Sequence, residues 1–120
     1  MSNQIVWCDI PAKDLDRAIR FYSAVLGQLI EKEDFSGFSI GVFPHAGEAV
    51  SACLCVGENH PTGVAGPLIY LNCAGRLDDA VAAVAAHGGK VLQPQHQIGP
   101  FGYRAVILDS EGNRVALHSP

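Results

Sequence analysis

Two titratable side chains stand at the ends of stretches that alternate like strands. Asp9 follows Trp7 by two residues within Ile5–Ile10, and His118 follows Ala116 by two within Arg114–His118. Side chains two apart on a strand share a face. Were these two faces opposed across a cleft, the carboxylate and the imidazole would form an acid/base pair. The carboxylate would raise the imidazole's proton affinity and fix its tautomer. The plainer alternative is two strand ends meeting water, and no nucleophile accompanies the pair. Tyr103, after Pro100-Phe101-Gly102, is either a hydrogen-bond donor over the cleft mouth or a packed strand tyrosine. Trp7 either fills the cleft or offers an apolar wall on which a planar ligand stacks.

Other residue types with chemical potential read more blandly. Cys8, Cys53, Cys55 and Cys73 form no C-x-x-C, and Cys53 and Cys55 lie in an apolar run. They read as small buried hydrophobes in a reducing compartment. His45, His60, His87 and His96 show neither H-x-H nor i, i+4 spacing and read as solvated surface. Asp109, Glu111 and Asn113 lie in too short a run for a calcium loop and read as turn chemistry.

The chain of 120 residues, 48% hydrophobic, is long enough for one domain with a real core. Its net charge of −4 and its scattered eight Lys and Arg exclude the basic stripe that nucleic acid or an anionic membrane requires. No apolar run approaches the roughly 18 residues of a spanning helix. The N-terminal stretch MSNQIVWCDI lacks the pattern of a signal peptide, so a cytoplasmic location is expected.

Periodicity supplies the elements. After Ile5–Ile10, Pro11 should close the strand and Asp14 cap a helix carrying Leu15, Ala18, Ile19, Tyr22, Val25 and Leu26 on one stripe, with Gly27 as its stop. Strands are expected at Leu29–Glu33, Phe38–Phe43 and Val50–Val56. The pattern then restarts: strand Leu68–Cys73, helix Leu77–His87, Gly88-Gly89, a short strand Val91–Pro94, and a loop over Gln95–Gly102. It ends in a hairpin from Tyr103 to His118 around Asp109-Ser110-Glu111-Gly112-Asn113. Leu15-Asp16-Arg17-Ala18-Ile19 matches Leu77-Asp78-Asp79-Ala80-Val81 at an offset of 62, which also carries Gly27 to Gly89 and Leu29 to Val91. Arg76 falls where Asp14 caps the first helix, so the second helix must begin differently. The fold expected is α+β, a single domain of two tandem βαβββ modules: about 4–57, a linker of about 58–66, and about 67–119.

A duplicated unit with the run Asp14-Leu15-Asp16-Arg17-Ala18, Phe21-Tyr22 and Leu26-Gly27, then Gly88-Gly89 and the closing Asp109-Ser110-Glu111-Gly112-Asn113, resembles the vicinal oxygen chelate superfamily. That superfamily includes glyoxalase I, bleomycin-resistance proteins and extradiol dioxygenases. The two ends of the chain resemble its small, single-domain glyoxalase-related bacterial members. The resemblance covers nearly the whole chain and implies curled four-stranded sheets forming a cleft, and a two-fold homodimer. It also implies a metal site in metal-dependent relatives, with His, Gln or Glu on the first and last strands of each module. Carried over by position, those ligands fall on Trp7, on Leu54 (or Ala52), on Ile69 and on Ala116, none of which can hold an ion. A register slip of one substitutes Val6, Cys53, Leu68 and Val115, which are expected to face the helices. No metal or other cofactor is therefore expected.

The reading favoured is a binding module whose inward faces (Trp7, Leu54, Ile69, Leu71, Ala116, with Tyr103 at the mouth) hold a small, partly apolar molecule; the alternatives are an enzyme of lyase, isomerase or dioxygenase type using Asp9 and His118, with or without a displaced metal, and a structural or regulatory dimer with a filled cleft. Ordinary metal-dependent glyoxalase I or extradiol dioxygenase chemistry is not expected.

Overall fold

The computed structural model describes residues 3–57 and 60–120; residues 58 and 59, part of the expected linker, lie outside the described residues. The order of elements is β1 (Trp7–Pro11), α1 (Leu15–Leu26), β2 (Glu31–Phe35), β3 (Phe38–Val42), β4 (Ser51–Cys55), β5 (Ile69–Asn72), α2 (Leu77–Ala86), β6 (Lys90–Gln97), β7 (Tyr103–Leu108) and β8 (Arg114–Ser119). A short 3-10 turn, Gly99–Phe101, precedes β7. Two four-stranded sheets result, ordered β1-β4-β3-β2 and β5-β8-β7-β6. In each, the first and last strands of the module run parallel and the remaining pairs antiparallel. The sequence-derived βαβββ repeat is thus the observed one. The last strand before the hairpin is longer than expected, because β6 continues through Pro94 to Gln97 across two register shifts.

Helix α1 forms as its caps dictate. Asp14 accepts a hydrogen bond from the Arg17 amide at 3.1 Å, and Gly27 ends the helix at φ +67°, a conformation glycine adopts without steric cost. Its apolar stripe is buried, with Phe21 joining Ala18, Tyr22, Val25 and Leu26. These side chains meet Val84, Ala80 and Leu77 of α2, and Leu54 and Leu117 of the two sheets, in a single core shared by both modules. Gly89 lets α2 approach the sheet: a Cβ there would lie 2.5 Å from the Leu108 carbonyl oxygen and 2.7 Å from Phe21 Cε1. Gly89→Ala is therefore expected to lower stability by roughly 1–3 kcal/mol, as overpacked cores do. A urea midpoint equal to the parent's would show that the backbone yields freely there.

The mismatch at Arg76 has a structural purpose. At the start of α2 it makes no side-chain cap; its guanidinium instead donates to the carbonyl oxygen of Val25, in the last turn of α1. A cation is thereby placed at the negative end of the α1 dipole.

The closing turn ties the modules together a second time. Asp109, Glu111 and Asn113 are the buried polar residues of the described chain. Asp109 accepts from the Tyr22 hydroxyl at 2.6 Å, from the Glu111 and Asn113 amides at 2.8 and 2.9 Å, and from Asn113 Nδ2 at 3.0 Å. Glu111 accepts from the Lys13 and Asp14 amides, both at 2.8 Å, and pairs with the Arg17 guanidinium at 2.8 and 2.9 Å. Asn113 donates to the Pro11 carbonyl at 2.6 Å. The cluster read as turn chemistry is that, and it also satisfies the open amides at the start of α1.

Candidate functional site

Strand alternation sends Cys8 and Ile10 of β1 toward α1 and leaves Trp7 and Asp9 on the opposite, open face. Paired residues of neighbouring strands share a face, so the register of β4 identifies their companions: Ser51 beside Trp7, Cys53 beside Asp9, Cys55 beside Pro11. This corrects the expectation for β4. Leu54 and Ala52 pair with Ile10 and Cys8 and sink into the core, Leu54 being 0% exposed, while Cys53 takes the opposite face of the sheet, where it is covered as well.

Module two shows the same correction. Ile69 and Leu71 pair with Val115 and Leu117 and point toward α2, whereas Tyr70 and Asn72 occupy the open face with Ala116 and His118. The offset of 62 fails here because the connection from core strand residue to helix is one residue longer in module two. Ile10 precedes Leu15 by five positions, but Leu71 precedes Leu77 by six. Ala116 faces as expected and is 0% exposed. Tyr103 does not overhang the cleft. It lies on the helix side, where it lines a depression of about 320 Å³ with Arg76, Asp78 and Ser119; its neighbour Arg104 takes the open face instead.

Between the edge strands β1 and β5 lies a cavity of about 840 Å³. Trp7, Asp9 and Val50 line it from module one, and Ile69, Tyr70 and Leu71 from module two. Ile69 and Leu71 thus border a cavity even though they face the helices. His118 lines a separate depression of about 420 Å³ with Tyr70, Ile98 and Phe101.

Asp9 and His118 do not pair. His118 Nε2 lies 2.6 Å from the Phe101 carbonyl oxygen, which can only accept, so this nitrogen carries the proton. Asp9 accepts instead from the Cys53 thiol at 3.3 Å. Burial pushes Cys53 up to about 11; a hydrogen bond from Trp7 opposes this, and Asp9 adds to it. Burial, then the Asp9 charge, raises Cys8 and Cys55 as well. The thiols around Asp9 are therefore neutral at pH 7 and are not thiolate nucleophiles.

Several contributors were not singled out by sequence. Arg104 donates through Nε to His96 Nε2 at 3.0 Å and through Nη1 to the Tyr70 hydroxyl. His96 thus accepts from Arg104 and is half-buried, not freely solvated. His45 meets the Trp7 ring edge-on at 5.6 Å. The alternation of β7 would have placed Arg104 outward; no sequence pattern places the loop histidines. The open faces also differ in charge. Module one presents Asp9, Glu31 and Glu33, and module two presents Lys90, Arg104 and Arg114.

Comparison with known proteins agrees with this architecture. Residues 4–117 match the Glyoxalase/Bleomycin resistance protein/Dioxygenase superfamily. CFP32 of Mycobacterium bovis, named as a candidate glyoxylase, is 30% identical over 116 residues; the match covers 92% of this chain. The chain spans 43% of the length of that relative. A glyoxalase/bleomycin resistance protein from Albidiferax ferrireducens T118 superposes with a TM-score of 0.80 at 19% identity, covering 98% of this chain and 99% of that one. The fosfomycin resistance protein FosX from Listeria monocytogenes gives 0.70 at 16% identity, covering 100% and 95%. The last two likenesses show a shared fold, and the match over residues 4–117 shows more: the chain belongs to the Glyoxalase/Bleomycin resistance protein/Dioxygenase superfamily.

Proposed function

We propose that the protein binds a small, partly apolar molecule in the cavity between its modules. The cavity itself carries this reading. Its volume of about 840 Å³ suits a drug-sized ligand, and its wall combines the Trp7 indole and aliphatic side chains with a few polar groups, Asp9 and Asn72 among them. The ligand class this favours is a planar or aliphatic body bearing a hydrogen-bond donor or a positive charge to meet Asp9. At the superfamily's ligand positions, Trp7 and Ala116 offer no donor for an ion, and turning Cys53 and Tyr70 outward does not rebuild the expected set. A homodimer fits the opposed charges of the two open faces, since the acidic face of one copy complements the basic face of another. The four free thiols suit a reducing, cytoplasmic compartment.

A second reading, an enzyme of lyase, isomerase or dioxygenase type, is favoured by one observation: Asp9, a group able to move a proton, lines the cavity. His118 serves such an enzyme only from the neighbouring depression.

A thermal-shift screen over metabolites and antibiotics tests the binding reading. A ligand that raises the midpoint should lose at least roughly tenfold in affinity with Trp7→Ala, which removes the aromatic wall. An undiminished response in that variant would dismiss the cavity as the site. Consumption of the ligand would favour the enzymatic reading.

A further inference from the structure

Three side chains that the core does not need converge on the open face of module one. Asp9 on β1, Cys55 on β4 and His60 in the connection that follows bring a carboxylate oxygen, a thiol sulfur and an imidazole nitrogen within 4.8 Å of one another. Among the described residues this is the cluster of metal-ligating types with such spacing. Sequence gave each member another reading: Cys55 as a buried hydrophobe, His60 as solvated surface, Asp9 as half of an acid/base pair.

The donor set is chemically selective. Sulfur and nitrogen together favour zinc and its neighbours over magnesium or calcium, which take oxygen ligands. Around a tetrahedral zinc, with bonds of about 2.0–2.3 Å, donor atoms stand roughly 3.3–3.8 Å apart. Drawing three atoms in from 4.8 Å or less requires closure of about 1 Å, within the reach of side-chain rotation. Two of the donors sit on strands fixed by the β1–β4 ladder, where Asp9 pairs with Cys53 and Pro11 with Cys55. The third is anchored nearby, because the His60 amide donates to the Gly57 carbonyl at 3.2 Å. The neighbouring Cys53 thiol, donating to Asp9 Oδ1, is placed to orient the carboxylate as supporting groups do around bound metals.

We propose that Asp9, Cys55 and His60 form a site for a zinc-class divalent cation, the Cys55 thiol releasing its proton to solvent as the metal binds, with a fourth position left for water or a ligand. All three donors come from module one and its trailing connection, and none of them is among the superfamily positions carried over to Trp7, Leu54 (or Ala52), Ile69 and Ala116. It does not depend on the organic ligand proposed above. Three protein donors and one open position are the arrangement of catalytic zinc centres. Because Asp9 also lines the cavity, the ion would stand at its edge.

Cobalt(II) titration of chelator-stripped protein provides the test. One cobalt per chain should bind with a thiolate-to-cobalt charge-transfer band and intense tetrahedral ligand-field bands, and zinc should bleach both. Trp7, the single tryptophan, should be quenched in parallel. His60→Ala lies in a connection outside the sheets and should fold normally, yet weaken cobalt binding by more than roughly tenfold. Cys55→Ser should abolish the charge-transfer band, while Cys53→Ser, which keeps a hydroxyl donor to Asp9, should retain it. Absence of the band from the parent protein, its survival in Cys55→Ser, or an undiminished cobalt affinity in His60→Ala, would overturn the proposal.

Discussion

Asp109→Ala is expected to cost about 4 kcal/mol of folding stability, read as a lowered urea midpoint at unchanged slope. Asp109 is 2% exposed and gathers four donors: the Tyr22 hydroxyl, two backbone amides and the Asn113 side-chain amide. Alanine leaves these donors buried without an acceptor. Each buried polar group stranded in this way costs roughly 1–3 kcal/mol, and water entering the vacated space recovers part of the sum. Typical domains hold only about 5–15 kcal/mol in total, so the variant should lie near the limit of folding at 37 °C. Burial, together with the Asp109 carboxylate that its hydroxyl meets, raises Tyr22 well above its ordinary value, so the phenol remains a donor at any physiological pH. Tyr22→Phe, which removes one donor and leaves the acceptor, should cost less than half as much. Equal losses from the two substitutions would show that the phenol, not the carboxylate, organises the cluster.

The largest pH effect should come from Glu111. Its burial favours the neutral acid, but the Arg17 guanidinium, the Asp14 and Lys13 amides and the Ser110 hydroxyl together outweigh that, and the carboxyl is held at about 2 against an ordinary value of 4.5. A carboxyl lowered on folding contributes fully above its unfolded value and loses that contribution as pH falls through the folded one. Stability should therefore decline between about pH 4.5 and pH 2, with about 3 kcal/mol lost from this group. Glu111→Gln separates this contribution from that of the other carboxylates. The parent should be more stable than the variant at pH 7, and the gap should narrow steadily as pH drops toward 2. A gap that stays constant over that range would mean the ionised form is not what the fold selects.

Much of the fold is legible in the sequence because its signals are local. Asp14, the Leu15–Leu26 stripe and Gly27 specify α1 with both ends correct, since cap and period act within a few residues of each other. The five residues between β7 and β8 are likewise the expected loop. What escaped was the facing of two strands. In Ser51-Ala52-Cys53-Leu54-Cys55, both alternating sets are apolar enough to bury, and the choice is made by Ile10 and α1, residues distant in sequence. In Ile69-Tyr70-Leu71-Asn72 the alternation itself points Tyr70 and Asn72 outward. It was overridden by carrying an offset from the helix into the strand across a connection longer by one residue. The candidate site inherited both shifts: Trp7 and Asp9 line the cavity, Leu54, Ala116 and Tyr103 do not, and Cys55 and His60 come together only through the sheet and the connection beyond it.

The reach of Arg76 across to the end of α1, and of Glu111 to its beginning, means that one half of the molecule adds a partner at each end of the other half's helix. The connection between β3 and β4, Phe43 to Val50, carries no counterpart of the Asp109–Glu111–Asn113 trio. The two repeats are therefore divided into a donor and a recipient. A gene fusing two copies of the first half would restore the strand and helix pattern while leaving both helices without these partners, so the first half cannot stand in for the second.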